Sequence, residues 1–230
     1  MEVPLRGVLL FTAAACLLGA AACGSTGFTP RLGTETSHDG LVKVENARVS
    51  AAWLRPDFDL AGYRRVKLEG AGIAYRPLRG MGGSGAAFPV SESAQQRLLE
   101  ILEEEFRSEL GKSTRFELTE EIGPDVLLVW GGLLDVISHA PPASAGRETV
   151  YLRSLGEATL VVELRDSQSN ATLARILDRR EVGDRSSASI RYMPGSGGAE
   201  FRRMAGGWAR RLRQRLDDAP TLSGGAEVAE

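Results

Sequence analysis

The sequence predicts an α+β fold: a single domain with a mainly antiparallel sheet and two helices packed on one of its faces. Three observations predict it. Two stretches, Ala94 to Leu110 and Phe201 to Leu216, keep apolar residues at helical spacing. The segments before and between them alternate apolar and polar residues, or run apolar without a break, at strand length. The resulting order is β, α, several β, α, with no internal repeat.

In chain order, Met1 to Arg6 is a short start with one Arg, Gly7 to Leu18 is almost wholly apolar, and Gly19 to Ala22 are small residues running into Cys23. That is the layout of a secretory signal. A cysteine directly after the small residues makes it resemble a bacterial lipoprotein signal, whose Cys is acylated and becomes the first mature residue. Ala20 stands where that pattern usually has Leu. A spanning helix needs about 20 apolar residues, and Gly7 to Ala22 offers 16. The expected organisation is signal peptide 1–22, lipid-anchored flexible tether 23–48, domain 49–220 and disordered tail 221–230. Cys16 leaves with the signal, so stability rests on the core alone, which a mature chain of a little over 200 residues can supply.

Within the domain, Arg64 to Tyr75 reads as a strand with Val66, Leu68 and Ile73 inward and a bulge or bend at Gly70–Gly72. Arg79 to Ala87 is a glycine-rich loop. Ser91 or Ser93 opens a helix, Ser93 with Gln96 having capping-box spacing, and Gly111 closes it. Ala94, Leu98, Ile101, Leu102, Phe106 and Leu110 form its inner stripe. Arg115 to Leu118 is a short strand. Asp125 to Val136 is apolar on both parities and reads as a central strand. His139 to Glu148 is a loop. Leu155 to Leu164 and Leu173 to Val182 are two strands joined through the turn residues Asp166 to Asn170. Pro194 to Gly198 is a second loop. The last helix runs from about Ala199 to Asp217, with Phe201, Met204, Ala205, Trp208, Leu212 and Leu216 inward.

Composition and motifs exclude more than they identify. The formal net charge is −2, which does not describe a basic nucleic-acid binder. Gly80 to Gly85 spells G-x-G-x-x-G, but Ala86 to Val90 separate it from the helix that a dinucleotide's pyrophosphate would need. No serine sits in G-x-S-x-G, and the two histidines, His38 and His139, fall in the tether and a loop. Two distant histidines and no remaining thiol make a poor metal site. No catalytic residue, metal ligand or cofactor is therefore assigned. Glu103 to Glu105 read as a wet helix face, and Glu163 as a solvent-facing strand residue. The last helix carries Arg202, Arg203, Arg210, Arg211, Arg213 and Arg215, either a solvated face or a contact with anionic lipid or an acidic partner.

One stretch carries a resemblance. Ala52-Trp53-Leu54-Arg55-Pro56-Asp57-Phe58-Asp59-Leu60-Ala61-Gly62-Tyr63-Arg64-Arg65-Val66 is similar to the opening segment of the bacterial lipoprotein family of domain of unknown function 3313 (DUF3313). The helix start near Ser91, then Phe116-Glu117-Leu118, Gly123 to Leu127 and Glu157 to Asp166, follow in matching order. The glycine-rich loop is longer and looser than the family's pattern. The resemblance covers about Val49 to Asp217 and implies a membrane-anchored α+β domain facing the periplasm, with no catalytic residue to carry over. Trp53 and Tyr63 read as anchors that bury an apolar body and keep a polar handle.

The function expected is that of a non-enzymatic envelope lipoprotein. It would be held by membrane lipid through acylated Cys23, would not bind nucleic acid, given its charge, and would serve as a binding or accessory subunit for an envelope partner. Outer-membrane placement facing the periplasm is the expected address. The alternatives are a hydrolase of envelope material using carboxylates such as Glu163 or Asp166, and a lipid- or ligand-binding module with an apolar cavity of roughly 300 Å³ or more between sheet and helices.

Overall fold

A computed structural model describes residues 30–74, 88, 90–139, 151–152, 154–183, 190–191 and 196–218. The expected signal peptide 1–22, Cys23, the stretch 79–87 read as a glycine-rich loop and the stretch 221–230 read as a tail lie outside the described residues. The strands are β1 (Leu32–Thr36), β2 (Val42–Val44), β3 (Ala51–Leu54), β4 (Arg65–Ala74), β5 (Glu117–Leu118), β6 (Val126–Ser138), β7 (Tyr151–Leu152), β8 (Gly156–Asp166), β9 (Thr172–Val182) and β10 (Ile190–Arg191). The helices are α1 (Glu92–Leu110) and α2 (Ser196–Asp217). Eight strands form one sheet in the order β1-β2-β3-β9-β8-β6-β4-β5, and β7 pairs with β10 separately.

The α+β class is as expected, but the sheet is mixed rather than mainly antiparallel. β4 runs parallel to both β5 and β6, because α1 lies between β4 and β6 in the chain and carries it back across the sheet. The remaining neighbours are antiparallel. β6 is the central strand its two-sided apolarity requires: Val126, Leu127, Leu128 and Val129 are all buried, with β4 on one side and β8 on the other. β4 has its register shift between Gly70 and Gly72, where the sequence places the bulge.

The chain enters the sheet earlier than expected. The stretch read as tether, 23–48, contributes β1 and β2, which zip onto β3 and bury Leu32 and Val44 beside Ala52. Glycine, serine and threonine there mask short strands whose apolar residues are too few to show a period. At the other end, Ser196 to Gly198, read as loop, already belong to α2. Helix α1 is capped by Ser91, whose Oγ accepts the Ala94 N–H at 3.3 Å, instead of by Ser93.

Both helices contribute to one core. Ile101, Leu102, Phe106 and Leu110 of α1 and Phe201, Ala205, Trp208, Leu212 and Leu216 of α2 meet Leu127, Val129, Val162 and Leu164 of the sheet. Burying a large apolar side chain of this kind contributes roughly 1.5–3 kcal/mol. Ion pairs tie α2 to α1, and a hydrogen bond ties its end to the turn after α1. Arg202 pairs with Glu104 at 2.7 Å and Glu105 at 3.2 Å, and the Ser113 hydroxyl donates to Asp217 at 2.5 Å.

Candidate binding cleft

The helical layer is narrower than the sheet, and this creates the site. Eight strands at about 4.8 Å spacing span roughly 34 Å, whereas two helices side by side cover about 20 Å. α1 packs over β4 and α2 over β9, leaving the β1–β3 end beyond the helices. An apolar cleft of about 210 Å³ opens there, between α2 and the sheet. It is smaller than the roughly 300 Å³ expected of a full ligand cavity.

Each wall has a local cause. β8 and β9 supply Val162, Leu164, Ala174 and Ile176 from their helix-facing parity. The loop after β3 supplies Phe58 and Leu60. This loop is the segment on which the family resemblance is most specific, and it is held at three points. Asp59 accepts the Ala61 N–H at 2.9 Å. Arg115 donates to the Leu60 carbonyl at 2.5 Å and to the Leu216 carbonyl at 3.2 Å, so one guanidinium joins loop to helix end. Tyr63 donates its hydroxyl to Asp166 at 3.0 Å. Burial, with the adjoining Asp166 carboxylate, pushes the Tyr63 phenol up to about 12. Tyr63 thus packs against the core as an anchor, whereas Trp53 alternates onto the opposite face of the sheet, paired with Arg175 and Lys43.

The charged groups on the cleft are Arg48, Asp178, Arg211 and Arg215. Asp178 is buried and already engaged: its Oδ2 accepts the Trp208 Nε1–H at 2.9 Å and the Arg180 Nε–H at 2.7 Å. Burial first, then the neighbouring Arg180, moves the Arg211 guanidinium below its ordinary pKa, with Asp178 acting the other way. Pro30, the first described residue, also lines this cleft.

The six arginines of the last helix do not form one patch. Arg202 is spent on α1, Arg203 on Glu200 within its own helix, and Arg213 on Asp217 at 2.8 Å, with Glu109 at 3.6 Å. Arg210 is exposed on the helix surface. Arg211 and Arg215 border the cleft. Arg48, Asp178 and Pro30 were missed by sequence reasoning. Arg48 and Pro30 fall in the stretch read as tether, and Asp178 looks like any polar residue on a strand until its face is known.

Glu163 corrects another expectation. It is 6% exposed rather than solvent-facing. It lies on the helix-free face, where Arg175 donates to it at 2.6 Å and Arg165 through Nε at 2.8 Å. Arg165 in turn sits 4.7 Å over the Trp130 ring, and Arg175 reaches Asp39 at 2.5 Å. Asp166 is equally committed: its Oδ1 accepts the Ser169 N–H at 2.7 Å within the β8–β9 turn, where Asn170 has φ 57°. Neither carboxylate lines the cleft. His139, read as solvated, has Nδ1 3.1 Å from the Ser154 hydroxyl. Among the described residues no group of His, Cys, Asp and Glu is placed to hold a metal ion, and no helix is long and apolar enough to cross a membrane.

A second groove, of about 220 Å³, runs under α1 where Gly70, Gly72 and Gly131 lie beside one another on β4 and β6. Missing side chains on both strands leave it. Its other wall includes Gln96, Glu100 and Glu103.

These features belong to an α+β domain whose sheet overhangs its helices. The chain is a member of the family described as Protein of unknown function (DUF3313), which matches residues 33–212. The matched span begins inside β1, in agreement with the strands found there. Among solved structures it is similar to the protein XCC0632 from Xanthomonas campestris, with 16% identity and a TM-score of 0.37, over 78% of this chain and 93% of that one. It is also similar to the PelC dodecamer from Paraburkholderia phytofirmans, with 11% identity and a TM-score of 0.34, over 68% and 89% of the two chains. The hypothetical protein CT253 from Chlamydia trachomatis gives 14% identity and a TM-score of 0.30, over 70% and 96%. No curated protein matches the sequence.

Proposed function

We propose that this protein is a non-enzymatic binding module of the bacterial envelope, anchored by lipid on Cys23 and facing the periplasm from the outer membrane. One observation carries the reading: Pro30 lines the cleft. Pro30 is seven residue steps from Cys23, and seven fully extended steps reach about 25 Å at most. An acyl anchor at Cys23 therefore holds the cleft close to the headgroups. The commitment of Glu163 and Asp166 to structural contacts supports a binding role over hydrolysis. An envelope protein partner would meet the same membrane-proximal side.

Fractionating the host envelope tests this. The native chain is expected in the membrane fraction with an acyl mass increment, and the Cys23→Ser chain in the soluble fraction. A native chain of unmodified mass, or a Cys23→Ser chain still held in the membrane, would sink the anchor.

A further inference from the structure

We infer that the cleft between α2 and the β1–β3 end of the sheet binds a single-chain anionic amphiphile, its acyl chain on the apolar floor and its headgroup against Arg211. The inference rests on the binding-module reading and names that module's ligand.

Two separate observations meet here. The first is shape and polarity. Leu54, Phe58, Leu164, Ile176 and Leu212 present a continuous hydrocarbon surface on three sides of the cleft, where a chain gains by leaving water. At about 210 Å³ the space suits part of one chain and is small for a lipid with two. The second is charge. Three arginines, Arg48, Arg211 and Arg215, border the cleft beside one carboxylate, Asp178, and Arg48 and Arg215 have interactions of their own. That carboxylate is already engaged by Trp208 and Arg180. Arg211 forms no ion pair or hydrogen bond among the described residues, and Arg180 repels it more than Asp178 attracts it, with Arg210 adding to the repulsion. An arriving anion relieves that repulsion, and a guanidinium offers a planar fork to a carboxylate or phosphate. The other five arginines of α2 do not combine these conditions: Arg202, Arg203 and Arg213 have acidic partners, Arg210 is not on the cleft, and Arg215 has an interaction of its own.

Trp208 provides the readout, because it lines the cleft while Trp53 and Trp130 lie on the opposite face of the sheet. A dibrominated stearate would be titrated, below its micelle concentration, into the full-length Cys23→Ser chain in detergent-free buffer, following tryptophan fluorescence. Bromine quenches an indole it touches. The expected result is saturable quenching that disappears in Trp208→Phe. Binding should weaken about tenfold in Arg211→Glu at low salt, weaken clearly in Ala47→Phe, which puts a ring at a position lining the cleft, and weaken at least tenfold for the methyl ester. Arg211→Gln and thermal melts show whether each variant is folded. Quenching that is equal for acid and ester, or unchanged by Arg211→Glu, overturns the headgroup assignment and so the inference. No saturable quenching in a folded chain overturns it outright. Either failure leaves the anchored module standing, since envelope fractionation of Cys23→Ser tests that separately.

Discussion

Glu163 is the residue whose environment differs most from what its sequence neighbourhood suggests. It sits between Val162 and Leu164, two core residues, so alternation sends it to the opposite face, and there two arginines close over it. Removing one partner of a buried ion pair strands the other charges, at a cost of about 3–5 kcal/mol. Glu163→Gln is therefore expected to lower the thermal midpoint strongly; a midpoint near that of the native chain would count against the structural role. The next member of the same ladder, Asp39, sets a pH dependence. A hydrogen bond from Ser37 and the adjoining Arg175 hold its pKa down at about 2, against an ordinary value of 3.8. A carboxylate depressed in the folded state contributes stability that is complete above its unfolded pKa and is lost on the way down. The window is thus from about pH 4 to about pH 2. Across it the stability difference between the native chain and Asp39→Asn should shrink, which acid melts would check. A difference that stays constant would show that Asp39 is not the group responsible.

At the scale of elements, glycines separate helix from sheet. α2 contains Gly206 and Gly207 side by side, and a methyl added at Gly207 would meet only Arg211 Nη2, at 3.7 Å. Gly207→Ala should therefore stabilise the helix by about 0.5–1 kcal/mol, the usual cost of glycine in a helix interior. At Gly206 the added methyl would lie 2.8 Å from a Glu105 oxygen, so the acid must swing aside and weaken its contact with Arg202. The gain there should be smaller. Gly156 is the opposite case. A β-carbon added there would clash with the Ile137 carbonyl oxygen in the neighbouring strand, and backbone cannot move aside as a side chain can. Gly156→Ala should cost about 3 kcal/mol, the upper end for overpacking. Denaturant midpoints of the three variants would rank them 207, 206, 156 from most to least stable, and any other order would contradict these contacts.

For the whole molecule, the consequential feature is the overhang of the sheet beyond its helices. It makes β1 and β2 part of the folded body, and Val44 of β2 lines the cleft. A true tether can be removed without loss of stability. Deletion through Val44 should instead uncover Ala52 and the edge of β3, lower the midpoint by several degrees and promote aggregation through the opened edge. A truncated chain as stable and monomeric as the native one would return those residues to the tether. The same overhang explains how a helix with six arginines directs only two of them into a site: the rest face α1, their own helix or solvent.

Local sequence determined the two helices through their apolar spacing, the central strand through its two-sided apolarity, the β4 bulge through its glycines and the β8–β9 hairpin through its turn residues. Ile101, Phe106, Trp208 and Leu216 are buried where their spacing places them. The short strands β1 and β2 were not legible, since three to five residues hold one or two apolar positions, too few for a period. The parallel pairing of β4 with β6 was not legible either: strand direction depends on where α1 returns the chain, and no local residue records that. Nor was the cleft. Arg48, Asp178 and Arg211 are more than thirty residues apart in pairs and become neighbours only when strand, loop and helix pack. Local sequence carries burial and turn chemistry; the convergence of distant charges on one apolar surface is decided by the width of the sheet against the width of its helices.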